Sequence, residues 1–207
     1  MQDVIRQKSL VTREDRSRLV RQRGGTVWLT GLPASGKSTI AFAVEAALVQ
    51  TGHLAYVLDG DNLRQGLSAD LGFSAEGRKE NIRRVGEVAQ LFADTGVIVL
   101  VSLISPYRED REQVRETHRK AGLPFIEVFV NAPLSVCEAR DPKGLYRRAR
   151  AGELVGLTGI DAPYEVPPHA DLVLSTGDMG VGEATEVVLA HFRAHWGLDI
   201  WQTGGVG

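Results

Sequence analysis

The chain holds a single cysteine, Cys137, among its 207 residues. One thiol can form neither an intrachain disulfide nor a cysteine cluster around a metal. Such sparing use of cysteine fits a reducing, cytoplasmic setting. Long apolar runs are also missing. The longest, Val97 to Ile104, is broken by Ser102 and falls well short of the roughly 18 residues that a membrane span needs. The opening MQDVIRQKSL has no apolar segment of the kind a secretion signal carries. Charge of one sign is lacking too: 24 Lys and Arg stand against 26 Asp and Glu, a net of −2. No global field draws the chain to nucleic acid or to an anionic membrane, so any basic site has to be local. The 5 histidines show no metal-ligand spacing.

What is present is an ordinary globular balance, 43% hydrophobic and 24% charged, which predicts one packed domain. Short apolar runs alternate with helical segments. Strands are expected at Thr26–Thr30, Leu54–Leu58, Val97–Val101, Phe125–Val130 and Leu172–Leu174. Helices are expected at Lys37–Gln50, Glu76–Thr95, Arg108–Ala121 and Val181–His195. In the second of these, Ile82, Val85, Ala89 and Phe92 recur at helical spacing. This alternation predicts an α/β fold: a parallel sheet of about five strands with helices on both faces.

Residues 141–168 break the rhythm, being rich in Gly, Pro and Arg. A loop of that length in a compact domain is usually functional, and it reads as a lid. The organisation is then an N-terminal segment (1–24) with a short helix, a domain over 25–196 containing the lid, and a flexible tail (197–207). Thr12 and Asp15 are spaced as a capping box for the short helix. Trp196 and Trp201 suggest a surface that is covered by something else. Cys137 reads as a small core residue within a short helix at Leu134–Ala139.

Gly31-Leu-Pro-Ala-Ser-Gly36-Lys37-Ser38 fits G-x-x-x-x-G-K-[ST], after an expected strand and at the start of an expected helix. The glycines let backbone N–H groups curl toward phosphate oxygens, and the helix N-terminus adds partial positive charge. Lys37 is placed to meet the β- and γ-phosphates of a nucleoside triphosphate, and Ser38 to ligate Mg²⁺. One strand later, Asp59-Gly60-Asp61 follows the second strand. Ligands bind beyond the carboxyl ends of parallel strands. Asp61 is taken as the partner of an acceptor hydroxyl and Asp59 as a ligand of Mg²⁺, and the reverse assignment stays open.

Arg64, Phe73, Arg78 and Asn81 form a second constellation. Arg78 and Asn81 share a helix face. Two guanidinium forks suit an anionic group, and Phe73 suits stacking on a base or packing in the core. Ser105 follows the third strand, where it either meets substrate or caps the next helix. Arg140, Lys143, Arg147, Arg148 and Arg150 make the lid cationic. A mobile cationic segment can fold over a triphosphate and exclude water.

Taken in order, GLPASGKST, LDGDNLRQGL, the GFS-to-ENIRRVGEVA stretch, SLISPYR, RDPKGLYRRARAGE and GLTGIDAPYE resemble the adenylyl-sulfate kinases from about Thr12 to His195. The resemblance implies a P-loop kinase fold, usually homodimeric. It implies phosphoryl transfer from ATP to the 3′-hydroxyl of adenosine 5′-phosphosulfate, with Mg²⁺. It places Gly31 and Ala34, Ser35, Gly36, Lys37, Ser38 and Thr39 at ATP, and Arg140 near its adenine. It places Asp61, Arg64, Phe73, Arg78, Asn81, Ile104, Ser105, Lys143, Gly156 and Leu157 at the sulfated nucleotide. Ser105 matches a serine sometimes described as a phosphorylated intermediate, and direct in-line transfer is favoured here. With Trp196 and Trp201 calling for cover, the chain is expected to be one domain of a larger sulfate-activating polypeptide or a dimer with a tail contact.

The chain departs from the family pattern at Pro33 and Ala34, where serine and glycine are usual. Gly77 replaces a common acid, and Leu157 a common aromatic. Two other readings share the cradle: a kinase for a different small molecule, and a module that binds nucleotide without turnover. The Arg64, Phe73, Arg78 and Asn81 set argues against the first. Intact Lys37, Ser38, Asp59 and Asp61 argue against the second.

Overall fold

A computed structural model describes residue 7 and residues 9–196. Five strands form one parallel sheet: β1 (Gly25–Thr30), β2 (Ala55–Asp59), β3 (Ile98–Ser102), β4 (Phe125–Asn131) and β5 (Leu172–Ser175). Their order across the sheet is β2-β3-β1-β4-β5. The central strand β1 is buried along its whole length. Its side chains alternate between two cores, as the period of two requires. Val27 and Leu29 face one side, where α2 (Lys37–Gln50) and α8 (Val181–Trp196) cover the sheet. Trp28 faces the other, under α4 (Ala75–Asp94) and α5 (Arg108–Lys120). Apolar runs that bury both faces, such as Ile98–Val101, are the mark of parallel strands.

The expected strands and helices occur, with ends displaced by at most one residue. The expected capping box forms at α1 (Arg13–Val20). Asp15 N–H donates to the Thr12 hydroxyl, and the Asp15 carboxylate accepts from Thr12 N–H. No residue of α1 is buried. Arg13 holds it in place, bonding Asp94 and the carbonyls of Ala121 and Gly122 at the ends of α4 and α5. These contacts lie at the amino-terminal rim of the sheet. On the outer strand β2, Val57 N–H donates to Glu45 at 2.8 Å, which blunts a free sheet edge.

Two expectations need correction. Residues 141–168 are not featureless: they contain α7 (Leu145–Arg150), whose N-terminal N–H groups at Tyr146 and Arg147 donate to Asp141. Tyr146 and Leu157 bury themselves in a third apolar cluster with Ala132 and Cys137. The sparse apolar residues of this stretch are thus enough to dock it, without a repeating pattern. Trp196 is no free aromatic surface either. It packs on Phe192, with ring centroids 4.8 Å apart, and against the backbone at Gly25. Trp201 and the tail over 197–207 lie outside the described residues. Cys137 is a buried core residue within α6 (Leu134–Arg140), as expected.

Candidate functional site

The carboxyl ends of β1, β2 and β3 open into one cavity of about 1200 Å³, lined by the residues of the cradle, the Asp59–Asp61 turn, the arginine constellation and the lid. The turn after β1 is tight. A Cβ at Gly31 would stand 2.5 Å from the Val130 carbonyl oxygen, so no larger residue fits there. Ala34 sits at φ 60 in the left-handed region, a conformation that costs a side chain roughly 1–2 kcal/mol and that explains the usual glycine. Pro33 uses its carbonyl, which accepts from the Tyr146 hydroxyl at 3.0 Å.

Lys37 curls back over the loop, donating to the carbonyls of Gly31 (3.0 Å) and Leu32 (2.7 Å). Burial lowers its pKa from the ordinary 10.5 to about 8, because the desolvated ammonium is disfavoured. Ser38 donates to Asp59 at 2.7 Å and lies 3.1 Å from the Ser102 hydroxyl. This oxygen-rich corner at the start of α2 has the hard donors that a magnesium ion prefers, and too few carboxylates for an all-protein cage. No group of three or more potential His, Cys, Asp or Glu ligands occurs among the described residues.

Asp59 and Asp61 are parted by their turn. Asp59 caps α3 (Gly60–Leu63), accepting from Asp61 N–H, and faces Ser38. The Asp61 side chain is mostly exposed and pairs with Lys143 of the lid. One carboxylate thus belongs to the cradle and the other to the mouth of the cavity.

On the far side, Phe73 is 71% exposed, which removes the core-packing reading. The Arg64 guanidinium lies 4.3 Å from the Phe73 ring centroid. Arg78 donates to Phe73 O (2.9 Å), Thr158 Oγ1 (2.7 Å) and Gly156 O (2.5 Å), joining α4 to the lid. Asn81 is buried, and its Oδ1 has no partner among the described residues. A buried amide oxygen left unpaired beside a cavity is poised for a donor on a ligand. Leu157 lines the cavity yet is anchored in the third cluster, so it offers an edge and no ring face. Gly77 donates its N–H to the Ser74 cap, and a Cβ there would lie 2.7 Å from the Gly72 oxygen. The missing acid therefore goes with a close approach of the chain just ahead of α4.

Ser105 does not cap α5, whose N-cap is Tyr107. The first N–H of that helix, at Arg108, donates instead to Glu165 at 2.7 Å. Ser105 is buried at φ 41. Its hydroxyl accepts from Trp28 Nε1 at 3.0 Å. Ile104 lines the cavity beside it. Arg140 donates to Thr176 O (2.5 Å) and more weakly to Ser35 O (3.4 Å), while the Thr176 hydroxyl donates to Ser35 O (2.8 Å). Thr39 and Gly36 line the same cavity. Sequence reasoning missed Thr158, Thr176, Ser102 and Glu165, because each acts through a partner 36 or more residues away. The SLISPYR and GLTGIDAPYE motifs contain three of them, Ser102, Thr158 and Glu165, without marking what each contacts.

The family model described as Adenylylsulphate kinase matches residues 23–175. The chain is 59% identical over 167 residues to the adenylyl-sulfate kinase of Geotalea daltonii, covering 81% of each. It is 54% identical over 178 residues to that of Saccharomyces cerevisiae, covering 86% of this chain and 88% of the relative. The Mycobacterium tuberculosis APS kinase solved with AMPPNP and APS matches with a TM-score of 0.81 and 53% identity, over 83% of this chain and 99% of that one.

Proposed function

We infer from the cavity that this chain, which belongs to the adenylyl-sulfate kinase family, is an adenylyl-sulfate kinase. It transfers the γ-phosphoryl group of ATP to the 3′-hydroxyl of adenosine 5′-phosphosulfate, giving 3′-phosphoadenosine 5′-phosphosulfate and ADP. The observation that carries the reading is the sharing of one cavity by the phosphate cradle and the arginine constellation. Two nucleotides can then meet end to end.

In-line phosphoryl transfer asks the protein for positioning and charge neutralisation. We propose that the cradle from Gly31 to Thr39 holds the triphosphate, with Lys37 swinging from its carbonyls to the phosphate oxygens and Arg140 beside the adenine. Arg64, Phe73, Arg78, Asn81, Ile104, Lys143, Gly156 and Leu157 hold the acceptor. Asp61 receives the hydrogen bond of the attacking hydroxyl, which its place at the mouth beside Lys143 supports. Ser38 and Asp59 would hold Mg²⁺, which their contact supports. Bound there, the ion supplies neutralisation of the charge that builds on the phosphate oxygens. Among the described residues no base hydrogen-bonds Ser105, and its hydroxyl is engaged by Trp28. This favours direct transfer and leaves Ser105 a positioning role at the acceptor.

We further propose that residues 25–196 form the kinase unit, that 141–168 act as its lid, and that the enzyme is a cytoplasmic homodimer. No helix among the described residues is long and apolar enough to cross a membrane, and the single cysteine is buried and free. A coupled assay of ADP release tests the activity. Release is expected only when adenosine 5′-phosphosulfate, ATP and Mg²⁺ are all present. Release that ignores the sulfated nucleotide, or none at all, would reject the assignment.

A further inference from the structure

Arg111 is a buried charge outside the cavity lining, only 2% exposed. Its guanidinium is fully committed in three directions. Nε donates to Glu127 Oε1 at 2.6 Å, Nη1 to the Ser105 carbonyl at 2.6 Å, and Nη2 to the Glu165 carbonyl at 2.8 Å. Glu127 is itself held. Its second oxygen accepts from Arg115, and its backbone N–H donates to Asp171. One planar fork therefore ties a fixed point on β4 to two loops at the rim of the cavity. Lysine could not do this, because a point charge has no such geometry.

Both tethered loops bear on the reaction. Ser105 is held in the left-handed region, where a residue with a side chain stays only if its surroundings over-determine it. Arg111 on its carbonyl and Trp28 on its hydroxyl are those surroundings. Next to it, the Ile104 carbonyl accepts from Thr30, the last residue before the cradle. The Glu165 tether is the exit of the lid segment. There Tyr164 stacks on Phe129, lies 3.0 Å from the Thr30 hydroxyl, and presents its ring 5.8 Å from the same guanidinium.

We propose that Arg111 is a positioning residue for phosphoryl transfer: it locks the acceptor-side loop at Ile104–Ser105 and the exit of the lid into one frame, without touching either nucleotide. The proposal rests on the reading that Ile104 and Ser105 hold the acceptor. A small displacement of that loop leaves the triphosphate cradle intact but misplaces the attacking hydroxyl.

Arg111→Lys tests the fork directly. The paired change Arg111→Gln with Glu127→Gln keeps the site neutral, so it avoids leaving Glu127 as an uncompensated buried charge. For either variant, with rates normalised to the cooperatively folded fraction, kcat/KM for adenosine 5′-phosphosulfate is expected to fall by at least about tenfold. The Kd for ADP, measured by calorimetry, should stay within about twofold of the parent, as for a distant site. Cleavage within 141–168 by a protease, in the presence of ADP and the sulfated nucleotide, should be faster than in the parent. A Kd for ADP weakened as much as the acceptor kcat/KM falls, or an unchanged acceptor kcat/KM, would overturn the proposal. A parent protein without acceptor-dependent turnover would instead sink the functional reading and this inference with it.

Discussion

The ammonium of Lys37 is buried among carbonyls and forms no ion pair among the described residues. Its pKa of about 8 reflects that desolvation. Below pH 8 the free protein carries the charged form that the proposed phosphate contact of Lys37 requires. Above it, binding must first restore the proton. The Kd for ADP is therefore expected to be flat below pH 8 and to rise about tenfold per pH unit above it. Burial also pushes the thiol of the neighbouring Cys137 upward. Calorimetric titrations between pH 7 and 9.5 would check this, and a flat profile throughout would contradict it. At this scale the sequence was partly legible. G-x-x-x-x-G-K-S names its residues because each needs a particular backbone or charge. Thr176 and Thr158 stayed hidden, since a threonine in a loop signals nothing until the fold brings an arginine to it.

Between elements, α5 depends on a buried histidine. His118 has no exposed surface, lies 2.9 Å from the Thr26 hydroxyl on β1, and shares its other ring nitrogen with the Val114 carbonyl. Burial depresses its pKa below the ordinary 6.5, and the Val114 carbonyl opposes this more weakly. The folded state thus prefers the neutral ring, while the unfolded chain takes up a proton first. Stability should fall as pH drops through 6.5 toward the folded value, and should be insensitive to this residue above it. Thermal melts of the parent and His118→Gln between pH 5 and 7.5 are expected to show a steeper acid loss in the parent. Parallel curves would argue that the ring titrates as in the unfolded chain. The elements themselves were readable because apolar period and length agree: α2 matches its expected span, and the Ile82–Phe92 stripe of α4 faces the core. α7 was not readable. Its six residues, LYRRAR, carry one buried tyrosine and no stripe, so only docking against Pro33 and Cys137 reveals them.

Across the whole molecule, Arg78 spans the site. It joins α4 to residues 156 and 158 while facing the cavity. Removing one charge-assisted contact costs roughly 1.5–3 kcal/mol, so Arg78→Ala should raise the KM for adenosine 5′-phosphosulfate by about 10- to 150-fold. The ATP KM should move far less. Steady-state kinetics with each substrate varied would decide it, and equal effects on both would break the clamp.

The arginine that moors α1 has a practical corollary. Arg13 fastens the helix behind the sheet, at the rim where β3 and β4 begin, whereas the cavity opens at the other end of the sheet. A bead or a surface linker attached on α1 would leave the mouth of the cavity turned toward bulk solvent, so a tethered preparation should turn over as freely as one in solution.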